Sequence, residues 1–560
     1  MSYAYRGRGL RDSFAAAVRA HRPRVLLSFA LAAAAAFVGA PSLAQPPPDP
    51  PPGEPPPPEE PKPAEPPPEE PKPEEPKPEA PKPPADAETE EKVVAGEATA
   101  GAEVAEKKDE ADAKTNEHKG SFEFGSYGRV VAAWNGEGGP GRDADIVAHG
   151  SRMDEDVYAE IELRREDDWG ITGIHTNVVA TLAIASPVFH YDGNFGIAMA
   201  VRNLYLEARD IGVEGLSAWA GSRMVRGDDI YVLDFWPLDN LNLLGAGAGY
   251  RHEVGTSVAL SVGATQPDSV FFRQTVIRPA PLDQFGAVPV ELLDRQKVTG
   301  ALRVAHDQKF GARDKPGPGI KAVLYGEGHG LPEGIREPKP GQKEQLPSDG
   351  GYAVGGQVTL YTGERDTFIH LWARYAGGMG AFGQFATPGQ LSPDKTTDGA
   401  HELLFAAAGN AEIEFFGVML GTYVRSFRDA SEGLNFEDVD EGVVLLRPTF
   451  WFGDIAGASL EGAFEMVQRG VITEPAGDPA AAPEGPFIAS LWRLGIMKLL
   501  TPAGRGNYTR PQIRIIYNVA FRDDSARLLY AVDDGFRDRS VEHFIGLGAE
   551  WWFNSSSYGF

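Results

Sequence analysis

The chain has 560 residues, with 53 Lys and Arg against 80 Asp and Glu, a formal net charge of −27, and no cysteine. That acidic balance argues against nucleic acid as a partner, because phosphate backbones are held by basic grooves. The absence of cysteine removes disulfides, thiolate metal ligands and thiol nucleophiles together.

The N-terminus reads as an export signal. Arg6, Arg8, Arg11, Arg19, Arg22 and Arg24 form a basic region, an apolar stretch runs from Val25 to Val38, and Ser42-Leu43-Ala44 fits cleavage after Ala44. The stretch is short for a spanning helix, which needs roughly 20 residues. No long apolar run follows, which excludes a helical membrane protein. Residues 45–85 repeat Glu-Glu-Pro-Lys-Pro. They cannot bury apolar surface, so an extended spacer is expected. Residues 86–119 turn to Ala, Glu and Lys, a helical or disordered periplasmic segment. The two segments together are also a candidate cell-wall contact.

From residue 120 the pattern changes to period two. Val157, Ala159, Ile161 and Leu163 make an apolar face against Tyr158, Glu160, Glu162 and Arg164. Ile513, Ile515, Tyr517, Val519 and Phe521 alternate with Gln512, Arg514, Asn518 and Arg522, and the final segment alternates through Leu547, Ala549, Trp551 and Phe553 before a terminal Phe560. Each strand thus has one lipid-like and one polar face. In hydrocarbon every backbone polar group must be satisfied within the protein, so such strands span only as a closed ring. The expectation is an all-β transmembrane antiparallel β-barrel over 120–560, in contact with outer-membrane lipid. Strands of about 9–11 residues give some 16 to 18 of them around an aqueous channel. The hydrophobic content of 42% is no objection, since half of each strand faces water.

Large aromatics on the wet parity carry the functional signal. Tyr127, Tyr158 and Trp552 sit there, and Phe368 and Trp372 share parity with His370 and Arg374. Aromatic faces stack on the C–H faces of pyranose rings. Arg129 and Glu160, each two residues from a tyrosine, supply hydroxyl-reading partners on the same face. Padding of the barrel wall is the competing use of such rings. The segment from Trp219 to Asp239 breaks out of strand pattern. Folded into the lumen it would narrow the pore with Arg226, Asp229, Asp234 and Trp236; an external loop is the alternative. Its aspartates do not match the spacing of an EF-hand loop. No metal, no cofactor and no catalytic nucleophile with a matched base is expected.

Phe122-Glu-Phe-Gly-Ser-Tyr127-Gly-Arg129, Tyr158-Ala-Glu160, Trp219-Ala-Gly-Ser-Arg with Asp229 and Leu233-Asp234-Phe235, Arg447-Pro448 and Glu550-Trp551-Trp552 together resemble the maltoporin family of carbohydrate porins. The resemblance implies an 18-stranded homotrimeric outer-membrane channel passing maltose and maltodextrins by facilitated diffusion. A related sucrose porin carries a periplasmic extension in a similar place. On the family's aromatic slide the resemblance places Tyr127, Tyr158, Trp552, Phe368 and Phe452, with Trp451 the alternative to Phe452 in a register shifted by one. Tyr191 stands in for the ring a neighbouring subunit donates. On the polar track it places Arg129, Arg152, Glu160, Arg202, Asp229 and Asp234, with Trp236 at a constriction tyrosine and Arg226 beside Gly227, where an Arg is expected. Arg202 lies on the apparent lipid parity of its strand, so this role requires the strand to start after it. The alternatives are a general diffusion porin for ions and small solutes, and a barrel that only anchors the envelope.

Overall fold

The computed structural model describes residues 118–185, 198–279, 285–311, 316–363, 366–388, 391–431, 438–469, 487–531 and 533–555. The expected signal, the Pro-rich segment, nearly all of 86–119, Tyr191 and Phe560 lie outside the described residues.

In chain order the strands are β1 His118–Trp134, β2 Tyr158–Trp169, β3 Ile174–Ala185, β4 Ala198–Arg209, β5 Leu216–Arg226, β6 Asn240–Arg251 and β7 Thr256–Thr265. A hairpin of β8 Arg273–Pro279 and β9 Ala287–Asp294 follows, then β10 Lys297–Lys309 and β11 Gly319–Leu331. A second hairpin, β12 Gly334–Lys339 and β13 Gln342–Leu346, precedes β14 Asp349–Tyr361, β15 Phe368–Gly378, β16 His401–Ile413 and β17 Phe416–Arg428. The chain continues with β18 Val439–Trp451, β19 Ala456–Arg469, β20 Phe487–Leu500, β21 Gln512–Arg522 and β22 Val541–Phe553. The two hairpins aside, these strands form one 18-stranded sheet. Each strand pairs antiparallel with its predecessor, and β1 pairs with β22 through Tyr127 opposite Trp552. The ring is closed, so it has no edge strand.

Alternation sets the two surfaces. Along β4, Leu204 and Leu206 are 56% and 50% exposed while Tyr205 and Glu207 are each 6% exposed. The apolar side faces outward and the polar side inward, the reverse of a soluble domain and the arrangement a membrane requires. One end of the barrel carries short turns, such as 170–173 and 452–455, and the other carries long connections. At the short-turn end Trp169, Phe310, Phe415 and Phe452 are exposed, an aromatic rim at the level of the membrane interface. At the other end the two hairpins join where the Gln274 side chain bonds both backbone groups of Glu337, each at 2.7 Å.

Two long connections fold inward. Loop 135–157 crosses the lumen: the Ile146 amide donates to Glu465 (2.9 Å), that of Ala148 to Glu441 (3.1 Å) and that of His149 to the Tyr423 hydroxyl (3.1 Å). These side-chain oxygens supply acceptors to backbone donors that no secondary structure satisfies. Loop 227–239 buries Ile230, Val232, Leu233 and Leu238. Gly421 of β17 makes room for it, since a Cβ there would come within 2.5 Å of Val232.

Candidate functional site: the lumen and its constriction

The centre of the constriction is Glu550, on the lumen face of β22 and 0% exposed. It accepts from Tyr231 (2.7 Å), Arg152 (3.0 Å) and Arg510 (2.6 Å), and also from Arg514. Three guanidiniums on one carboxylate would be costly unless other acids shared the charge. Glu155 and Asp234 do so: Arg152 lies 3.3 Å from the first and 3.6 Å from the second. Arg129 pairs with Glu155, lies 4.0 Å from Asp234, and donates to the Asp156 carbonyl at 2.9 Å.

Tyr127 is 1% exposed, with its hydroxyl bonded by Arg152 and its ring 5.9 Å from that of Tyr158. The Tyr158 hydroxyl donates to Glu160 at 2.5 Å, and Arg202 bonds both groups. Arg202 therefore reaches the lumen, but not because β4 starts after it. Thr181 pairs with Asn203 and Leu182 with Val201, leaving Arg202 as the extra residue of a β-bulge. A bulge interrupts the alternation and re-aims one side chain, which period-two reading of the sequence misses.

A line of rings leads on from this cluster. Trp552 lies edge-on to Tyr231 (5.9 Å between centroids), Tyr231 lies 5.4 Å from Tyr508, and Tyr508 lies 6.1 Å from Phe368, whose ring is 4.2 Å from His370. The Arg510 guanidinium covers Trp552 at 4.0 Å. Beyond it opens a cavity of about 1340 Å³, lined by Arg226, Asp229, Trp236, Phe368 and Tyr508 among others. Arg226 lies 3.8 Å over the Trp236 ring. The cavity exists because its wall is built from small side chains: Gly249 on β6, and Ser257, Ala259 and Ser261 on β7, all line it.

Of the residues expected at the site, the structure gathers Tyr127, Arg129, Arg152, Tyr158, Glu160, Arg202, Asp234 and Trp552 around the constriction, and Arg226, Asp229, Trp236 and Phe368 around the cavity. Trp372 has the expected parity but is 4% exposed, packed beneath loop 227–239. Phe452 is 70% exposed in the turn after β18, in the aromatic rim and not the lumen. Trp451, the residue one before it, is on the inner face, 6% exposed and packed with Met153 of loop 135–157.

Tyr508, Tyr231 and Arg510 were not among the expected residues. Tyr231 lies in a loop whose irregularity marks it, but Tyr508 and Arg510 come from the 501–511 connection at the short-turn end, where no alternation singles out a side chain. Loop 135–157 as a second infolded element was missed for the same reason. Its His149 ring stacks on Phe235 at 4.1 Å. Burial, with Arg425 and Arg374 nearby outweighing Asp234, pushes that imidazole down to about 4. Among the described residues no group of His, Cys, Asp and Glu is arranged to hold a metal ion.

No curated protein matches the chain. Among solved structures it is similar to OccK1 (OpdK) of Pseudomonas aeruginosa, at 10% identity over 78% of this chain and 98% of that one, with a TM-score of 0.37. It is similar to OmpT of Vibrio cholerae in its trimer form, at 13% identity over 78% and 99%, with a TM-score of 0.36. Likenesses at that level carry no information on solute. The model of the family described as LamB porin matches residues 122–553. With that match spanning the closed barrel and its lumen, the chain belongs to the LamB porin family and is an outer-membrane porin.

Proposed function

We propose that this porin passes oligosaccharides of the maltodextrin type by facilitated diffusion. The observation that supports this reading is the run of rings from Trp552 through Tyr231 and Tyr508 to Phe368, spaced 5.4–6.1 Å between centroids. Successive pyranose rings can slide across Trp552, Tyr508 and Phe368, with the buried Tyr231 backing them, while Arg510, Arg226 and Asp229 exchange hydroxyl contacts. Each contact must be weak enough to release, the general condition for conduction through binding sites. In this reading the chain is exported by its N-terminal 44 residues and assembles as a homotrimer. Residues 45–119 then form a periplasmic extension that reaches the cell wall.

The test is single-channel conductance of the purified protein in a planar bilayer, titrated with maltooligosaccharides and sucrose. Saturable, length-dependent block is expected. Trp552→Ala or Tyr508→Ala removes one stacking face worth about 1 kcal/mol, so block should weaken roughly fivefold. Ohmic conductance with no sugar block would identify a general diffusion porin instead.

A further inference from the structure

The ring path uses one side of the cavity. The β4–β6 wall is built differently. Trp219 lies flat across β6, where a Cβ at Gly247 would come within 2.3 Å of its indole nitrogen. Above it the Arg223 guanidinium sits 4.6 Å over the Tyr205 ring and 5.5 Å over that of Trp219. Its partner Glu207 accepts from Arg223 at 2.9 Å and from Arg209 at 2.8 Å, so one carboxylate serves two guanidiniums. Arg251, further along β6 toward the short-turn end, where its amide donates to the Gly215 carbonyl, is exposed and makes no ion pair among the described residues.

We infer that this wall is an anion-recognition surface for acidic sugars, those carrying a carboxylate or a phosphate; the inference rests on the sugar reading above. Contact with two aromatic rings and the bond to Glu207 hold Arg223 in place, and a held guanidinium presents a fork of N–H donors that matches two oxygens of a carboxylate or phosphate. Arg209 and Arg251 add donors within the same wall. Asp210 stands at its edge. The other acids lining the cavity, Asp228, Asp229, Asp307 and Asp366, come from loop 227–239, β10 and the β14–β15 turn, where Lys321 already holds Asp228 at 2.6 Å. The cationic excess among the lining residues therefore lies on β4–β6, where Arg209, Arg223, Arg226 and Arg251 face Glu207 and Asp210, while Arg303 and Lys321 stand among the four aspartates. An acidic sugar would lay its C–H face on the ring path and its acid on this wall.

The experiment compares block of the wild-type channel by digalacturonate, glucose 6-phosphate, maltose and inorganic phosphate, then repeats it in Arg251→Gln and Arg223→Gln. Acidic sugars should block at roughly tenfold lower concentration than maltose. Both substitutions should abolish that advantage without changing block by maltose. Arg251→Gln keeps the test valid if Arg223→Gln disturbs folding, because Arg251 supports no other side chain. Competition by inorganic phosphate would assign the wall to the bare anion; its absence would assign it to the sugar acid as a whole. Equal block by maltose and acidic sugars, or an advantage surviving in both variants, overturns the inference and leaves the ring path standing. Block by acidic sugars without block by maltose would overturn the ring path and keep this wall.

Discussion

The same closed sheet is filled on one side and hollow on the other. Between β17 and β22 the inner face carries Tyr423, Glu441, Glu461, Glu465, Arg493 and Glu550, and these side chains capture loops 135–157 and 227–239. Along β6 and β7 the inner face offers Gly249, Ser257, Ala259 and Ser261, the large side chains of β4 and β5 lie against the wall, and a cavity remains. Backbone geometry is common to both sectors, so the difference lies in lumen-face side chains. Charged groups that reach loop amides draw a loop in, and small side chains that do not reach across the lumen leave it open.

Breaking the filled sector should have the largest effect. Arg493 is fully buried, bonded to Asp145 and Asp154, and 3.6 Å from Glu465. Arg493→Met would strand those carboxylates at about 3–5 kcal/mol. Urea unfolding in detergent should show the loss, and channel conductance should rise as loop 135–157 comes free. An unchanged unfolding curve would mean the loop is held elsewhere. A bulky insertion separates the sectors more sharply. Ala463→Trp, at a 3% exposed inner position, should cost about 1–3 kcal/mol by overpacking. Ala259→Trp in the hollow sector should stay within about 0.5 kcal/mol of wild type yet lower conductance.

A pH profile tests the junction between the loops. Because the His149 imidazole is held down to about 4 against an ordinary value near 6.5, the unfolded chain binds the extra proton first as pH falls. Stability should decline from about pH 6.5 to 4 and level off below, and His149→Phe, which keeps the stack on Phe235, should flatten that decline. The smallest effect is expected among the long connections. Asp534 accepts two bonds from Arg142, each 2.9 Å, and these hold its carboxyl down to about 2. The pair's contribution is present above pH 4 and lost as pH falls toward 2. Asp534→Asn should cost under about 1 kcal/mol at pH 7.

Much of the site was legible because parity is local. Tyr127, Tyr158 and Trp552 could be placed on the inner face from their immediate neighbours alone. Phe452 and Trp372 show the limits of that reading. Phe452 falls one residue past the strand end, where alternation stops and the side chain turns to the rim. Trp372 has the right parity, but a loop more than a hundred residues away in sequence covers it. Tyr508 gave no local signal, since its position depends on how the 501–511 connection bends back to meet Tyr231.

The sequence by itself determined the closed antiparallel barrel and the sorting of side chains into lipid and lumen faces, because period two is written residue by residue and hydrocarbon tolerates no open sheet. Only the tertiary structure decided that Arg202 enters the lumen through a bulge, that Tyr508 and Tyr231 join the rings, and that one sector fills while the other stays open. Those outcomes depend on contacts between residues distant in sequence, where one buried carboxylate or one glycine on a far strand sets where a loop can lie.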